Sequence, residues 1–221
     1  MTGEIPPGAD GIELVYVDEA IIVVDKPAGL LSVPGRGPDK QDCLSRRVAM
    51  AYNDALVVHR LDMATSGLLV MARSPESQRA LGLAFASRTV RKRYIAVVDG
   101  CLQPTDEPWQ TINLPIQVDW PNRPMRIIAM QGGQQSVTRL RVLTADHRRK
   151  TTRVELEPLT GRTHQLRVHL QAIGHPILGD ALYNHHPEAH GATRLLLHSQ
   201  DLSFAHPVTA AAMQFTSPAP F

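Results

Sequence analysis

The chain predicts an α+β fold, a mostly antiparallel mixed sheet with flanking helices and loops. Three observations carry this: β-type runs outnumber helix-patterned segments, they succeed one another largely as hairpins, and no glycine-rich strand-to-helix loop of the doubly wound kind occurs. With 221 residues, 43% hydrophobic and 20% charged, one domain or two closely packed halves is expected. No apolar run approaches the roughly 20 residues that span a membrane, and the first ten residues lack the basic-then-apolar start of a secretory leader. Cys43 and Cys101 are far apart, have no CxxC spacing and read as cytosolic free thiols.

Residues 1–11, rich in Gly and Pro, read as a flexible arm ahead of one domain at 12–221. Ile12 to Val24 predicts a hairpin turning at Asp18-Glu19-Ala20. It stops at Asp25-Lys26-Pro27-Ala28-Gly29, because Pro27 cannot donate to a ladder. Cys43 to Tyr52 predicts a helix with Leu44, Val48 and Ala51 on one face. Ser74-Pro75-Glu76 is a helix start, with a capping hydroxyl, a proline suited to the first position and an acid at the positive end of the dipole. That helix should run to about Ser87, followed by a strand at Tyr94 to Val98. Residues 102–136 are the least regular, with extended pieces at Ile112 to Leu114 and Arg126 to Ala129. Val137 to Leu143 and Thr152 to Leu159 alternate as strands around Asp146-His147-Arg148. Thr163 to Ile173 predicts a helix with Leu166, Leu170 and Ile173 inward and a polar stripe of His164, Arg167 and Gln171. Leu195 to His198 and Met213 to Phe215 close the chain as two more strand-like runs.

The residues that call for chemistry sit in Val58-His59-Arg60-Leu61-Asp62-Met63-Ala64-Thr65-Ser66-Gly67. Asp62 is the lone acid between Ala55 and Pro75, on a polar loop closed by a Thr-Ser-Gly turn between apolar runs. Taken alone, it reads equally as an Arg–Asp pair closing a turn or as a nucleophilic carboxylate. Serine hydrolysis is disfavoured because a strand follows Ser66 where a nucleophile elbow needs a helix. The cluster of His185, His186 and His190 lies in a Pro/Gly loop and reads as hydrated surface, so no metal site is expected. One carboxylate without a metal can attack a sugar anomeric carbon, and needs no partnering acid if the leaving group is a stable anion such as uracilate. Net charge is only +2, but Arg88, Arg91, Lys92 and Arg93, and again Arg148, Arg149, Lys150 and Arg153, form basic clusters, with Arg123 and Arg126 between them. Each cluster alone is a solvated face; two in a chain this size favour a phosphate-tracking surface.

His59-Arg60-Leu61-Asp62 followed by Thr65-Ser66-Gly67-Leu68 resembles the catalytic motif of the RluA family of RNA pseudouridine synthases. The resemblance extends to Lys26-Pro27-Ala28-Gly29-Leu30, Arg91-Lys92-Arg93-Tyr94-Ile95-Ala96, Gly161 through His169, His175 through Asp180 and Leu195 through His198, in the family's order. Leu31 to Arg36 and Asp119 to Pro124 resemble the branch that acts on both a 23S rRNA hairpin and the tRNA anticodon stem-loop. The resemblance implies a pseudouridine synthase catalytic domain, and eleven preceding residues leave no room for an S4-like RNA-binding domain. It implies that Asp62 attacks C1′ of a flipped-out uridine or drives glycal formation. Arg167 pairs with Asp62, Tyr94 stacks on the uracil, and Arg60 fills the space that the base vacates. Leu195, Leu196 and Leu197 wall the pocket, and His59, Arg91, Lys92, Arg93, Arg123, Arg162, Thr163 and His164 join Arg60 in binding RNA. No cofactor or metal is implied, since the reaction exchanges an N1–C1′ bond for a C5–C1′ bond. The expected protein is cytoplasmic, acts on rRNA and tRNA stem-loops and touches no membrane, and a monomer is expected because no heptad or large exposed apolar stripe appears. The alternatives are a family member with a single RNA target, a non-catalytic RNA-binding or chaperone protein on the same fold, and a glycosidase or phosphoribosyl-type enzyme of small molecules.

Overall fold

The computed structural model describes residues 12–221, which divide into two compact units: residues up to Lys92 with Ser199–Pro220, and Arg93–His198 with Phe221. The expected arm at residues 1–11 lies outside the described residues. The elements run β1 (Glu13–Val17), β2 (Ile21–Lys26), α1 (Leu44–Ala51), β3 (Leu56–Val57), β4 (Ser66–Ala72), α2 (Pro75–Ala86) and β5 (Arg91–Asp99). There follow β6 (Gln110–Asn113), β7 (Ile116–Val118), β8 (Arg126–Ile128), β9 (Val137–Asp146), β10 (Thr151–Pro158), α3 (Gln165–Ala172), β11 (Leu197–Ala205) and β12 (Ala212–Thr216).

In the first unit the strands lie in the order β1–β2–β4–β11, with β3 also on β4 and β12 on β11. The β1–β2 turn is shaped by Asp18, whose Oδ1 accepts from the amides of Ala20 and Ile21 at 2.8 Å each. The hairpin runs on to Lys26, two residues beyond the sequence expectation, and ends where Pro27 removes the donor. Every residue of β4 is buried, which is why Ser66 to Ala72 reads as a continuous apolar run without alternation. Ile21, Val23, Leu68, Val70, Leu81, Leu202 and Phe204 form the core beneath it. The capping expected for α2 is present, with Ser74 Oγ accepting from the Ser77 amide at 3.1 Å.

The Thr-Ser-Gly turn needs correction. Ser66 and Gly67 already belong to β4, and Gly67 pairs with Lys26. Gly67 has φ +113°, and a Cβ there would lie 2.4 Å from the Ser199 carbonyl oxygen. The glycine serves close approach of β11 and not a turn.

In the second unit β5–β10–β9–β6 form an antiparallel sheet, and β7 and β8 form a separate hairpin. Ile116, Val168 and Tyr183 pack together, flanked by Met125, Ile128 and Leu182. Helix α3 starts at Gln165 instead of Thr163, because His164 adopts a left-handed backbone at φ +57°. Gln165 through Leu170 are all buried; of the expected polar stripe Arg167 is enclosed, while His164 and Gln171 are half-buried. The leucine run enters β11 only at Leu197. Leu196 is instead held by its amide to the Leu178 carbonyl at 2.9 Å and by the Val97 amide to its own carbonyl at 3.1 Å. These strands, with three α-helices among the described residues, make the α+β fold that the sequence predicts.

Candidate active site

Asp62 stands half-buried in the first unit, between β3 and β4, and the backbone on both sides of it is tied down. Before it, Ser32 donates through Oγ to the Leu61 carbonyl at 2.7 Å and accepts from the Leu61 amide at 3.1 Å. After it, the Met63 carbonyl accepts from the Gly29 amide at 2.8 Å and from Lys26 Nζ at 3.1 Å. Lys26 Nζ also donates to the carbonyls of Pro27 and Leu30 at 2.8 Å each, and the whole residue is 0% exposed. A buried ammonium needs several acceptors to offset desolvation, and three converging carbonyls supply them. The Thr65 amide closes the turn on the Asp62 carbonyl at 3.1 Å. These bonds hold the backbone on both sides of Asp62 in one place, as a positioned carboxylate requires.

The neighbours of Asp62 divide. Arg60 is exposed. His59 is half-buried; its Nε2 accepts from the Val70 amide at 3.1 Å and its ring stacks on Phe85 with centroids 4.4 Å apart. Burial, with the Lys92 ammonium nearby, pushes the imidazole down to about 3, so His59 is a neutral ring packed on Phe85. Lys92 is half-buried over the Phe85 ring, 5.7 Å from its centroid, and burial lowers its pKa. Arg91 is exposed.

The second unit holds the other expected side chains. Arg93 pairs with buried Glu155 at 3.2 Å and lies over Trp109, where Arg139 and Arg141 also stack. This guanidinium is therefore engaged within the fold. Tyr94 is buried on β5, opposite Leu156. Arg167 is buried, not on an exposed stripe, and makes a bidentate pair with Asp180: Nε to Oδ2 at 2.8 Å and Nη2 to Oδ1 at 2.7 Å. Asp180 Oδ1 also accepts from the amides of Leu182 at 3.0 Å and Tyr183 at 3.2 Å. The Tyr183 ring lies under the Arg167 guanidinium at 5.0 Å, and its hydroxyl joins His164 Nδ1 at 2.7 Å to the Arg126 amide at 2.8 Å. Arg167, Asp180, Tyr183 and His164 thus form one connected group, in which the guanidinium is held from two sides.

The loop before α3 is fixed by Gln165, all of whose amide capacity on this side is used. Its Oε1 accepts from Thr160 Oγ1 at 2.7 Å and the Arg162 amide at 3.0 Å, and its Nε2 donates to the Val137 carbonyl and Thr138 Oγ1 at 3.0 Å each. Arg162 and Thr163 are left exposed on the loop's outer surface. Arg123 is exposed at the β7–β8 turn, 4.9 Å from the Trp120 ring centroid. Leu195 and Leu197 are buried and Leu196 half-buried. Lys26, Ser32, Gln165, Asp180 and Tyr183 were not singled out as site residues by sequence reasoning. Lys26 and Asp180 each carried a usable signal, a charge at the end of an apolar run.

The RNA pseudouridylate synthase model matches residues 20–172. The chain belongs to this family. Over 209 residues it is 47% identical to the dual-specificity RNA pseudouridine synthase RluA of Yersinia pestis, covering 94% of this chain and 99% of the relative. Over 219 residues it is 44% identical to the protein of the same name from Escherichia coli K12, covering 98% and 97%. Human RNA pseudouridylate synthase domain containing 1 superposes with a TM-score of 0.78 at 28% identity, covering 98% of this chain and 86% of that one. Membership makes the chain an RNA-modifying isomerase, as its motifs imply. Among the described residues, no helix is long and apolar enough to cross a membrane.

Proposed function

We propose that this pseudouridine synthase has dual specificity and isomerises uridines in both a 23S rRNA hairpin and the tRNA anticodon stem-loop, acting as a cytoplasmic monomer. The names of its relatives from Yersinia pestis and Escherichia coli support more than one RNA target. The observation that carries the chemistry is the Asp62 loop, with Leu61 tied to Ser32 and Met63 tied to Lys26 and Gly29. In the reaction Asp62 attacks C1′ of a flipped uridine and the N1–C1′ bond breaks to give uracilate. The ring turns, C5 bonds to C1′ as the Asp62–C1′ ester bond breaks and returns the carboxylate, and the C5 proton is lost while N1 gains one, so the atoms balance without a redox partner. Tyr94 stacks on the uracil and Arg167 steadies the uracilate. Arg60 fills the vacated stack and offsets the few kcal/mol that flipping costs.

The test is release of tritium from RNA carrying C5-tritiated uridine, since isomerisation frees that hydrogen. Wild-type chain should release tritium from both rRNA and tRNA stem-loops, and Asp62→Asn should release none while binding either RNA with wild-type affinity. Release from one RNA class alone refutes dual specificity. Loss of binding in step with turnover makes Asp62 structural. No release from either RNA, with turnover of free nucleosides, would overturn the RNA reading altogether.

A further inference from the structure

The second unit contains an open groove of about 420 Å³, lined among others by Gln117, Trp120, Arg126, Gln134, Arg162 and Thr163. None of Asp62, Tyr94, Arg167 or the three leucines lines it. Its volume lies within the range of small-ligand sites and is generous for one nucleotide. Its lining is of mixed character. Two arginines suit a phosphate; two amides and a hydroxyl offer donors and acceptors to the edge of a base. Trp120 supplies an aromatic face.

Trp120 is 67% exposed, an unusual position for the largest apolar side chain, and the turn that carries it is well defined. Asp119 accepts through Oδ2 from Asn122 Nδ2 at 3.0 Å, and its amide donates to the Met125 carbonyl at 3.1 Å. The Arg123 guanidinium lies over the indole. Arg126, on the same hairpin, is anchored by its amide to Tyr183, the residue beneath Arg167. On the opposite wall Arg162 and Thr163 lie on the loop that Gln165 holds. An indole kept in solvent by a built turn, beside two amides and with Arg126 on its own hairpin and Arg162 on a second fixed loop, is a stacking platform with a phosphate clamp.

We infer that this groove binds one unpaired nucleotide of the substrate RNA, distinct from the reacting uridine, with its base stacked on Trp120 and its edge read by Gln117 and Gln134. The inference rests on RNA being the substrate. A second anchored nucleotide fixes the register of the loop, so that the uridine presented for flipping is set by its spacing from this one.

The experiment uses the full chain, with Trp120→Ala and Trp120→Phe, and a labelled stem-loop RNA in which each unpaired nucleotide is replaced in turn by an abasic one. Base–aromatic stacking predicts that Trp120→Ala weakens binding roughly 5- to 150-fold, and that Trp120→Phe retains most of the affinity. With one particular abasic RNA, wild type and Trp120→Ala should bind equally, since the stacking partner is already gone. Equal weakening of Trp120→Ala against every abasic RNA overturns the inference, as does wild-type affinity for the unmodified RNA. A melting temperature for Trp120→Ala equal to that of wild type excludes unfolding as the cause; if it is lowered, Trp120→Phe and the abasic comparison decide. Tritium release by wild type is measured alongside. Its absence refutes the functional reading, and its presence with no effect at Trp120 refutes the groove alone.

Discussion

Asp180→Asn is the substitution whose consequence the structure determines most fully. The Asp180 side chain is 0% exposed and that of Arg167 6%, so their pair is sealed from solvent. Unit charges about 4 Å apart attract by about 4 kcal/mol at an effective dielectric of about 20. Removing one partner of such a pair leaves the other charged, buried and uncompensated, which costs about 3–5 kcal/mol. Asparagine keeps an oxygen for the Leu182 and Tyr183 amides, so those two bonds, worth about 1 kcal/mol each, survive. Its amide nitrogen, however, meets the Arg167 Nε that Oδ2 now receives. A loss of about 3 kcal/mol is expected, which lowers the melting temperature by about 6–12 °C in a chain of this size. Urea denaturation followed by circular dichroism reads the loss as a lower midpoint at unchanged slope. If Arg167 acts on the reacting uridine, the variant assayed below its transition should also lose at least about tenfold in kcat, because a guanidinium freed from its clamp is no longer oriented. Stability within about 0.5 kcal/mol of wild type, together with wild-type kcat, would refute the clamp.

Two further outcomes follow from the first unit. Lys26→Met leaves the carbonyls of Pro27, Leu30 and Met63 without their shared donor and should cost about 3 kcal/mol in a urea titration, with tritium release falling further than the lost folded fraction explains; wild-type activity per folded molecule would show that Lys26 does not hold the Asp62 loop for catalysis. His59 has its folded-state pKa at about 3, below the ordinary 6.5, so protonation favours the unfolded chain. Its contribution is complete above about pH 6.5 and is lost as the pH falls towards 3, with about 2 kcal/mol gone at pH 5. His59→Gln, which lacks the titrating ring, should lose about 2 kcal/mol less than wild type between pH 7.5 and 5; parallel stability curves would sink this reading.

The sequence by itself determined the features that depend on neighbours along the chain. The β1–β2 hairpin, the Ser74 cap of α2 and the strand nature of β9 and β10 are set by turn residues, capping chemistry and alternation within a few positions. Asp62 was legible for the same reason, as a lone acid among apolar runs, and the order of motifs carried the family. Tertiary structure decided what each polar side chain meets. His59 lies one residue from exposed Arg60, yet Phe85 and the Val70 amide make it a packing group. Arg167 falls at polar spacing on α3 but is buried, because Asp180, thirteen residues on, folds back to receive it. Lys26 looks like a strand end; Pro27 and Leu30 supply two acceptors from the neighbouring chain, and the return of the chain to Met63 supplies the third. Local period reports which way a side chain points; whether it points at water or at a partner depends on segments tens of residues away, and periodicity contains nothing of them.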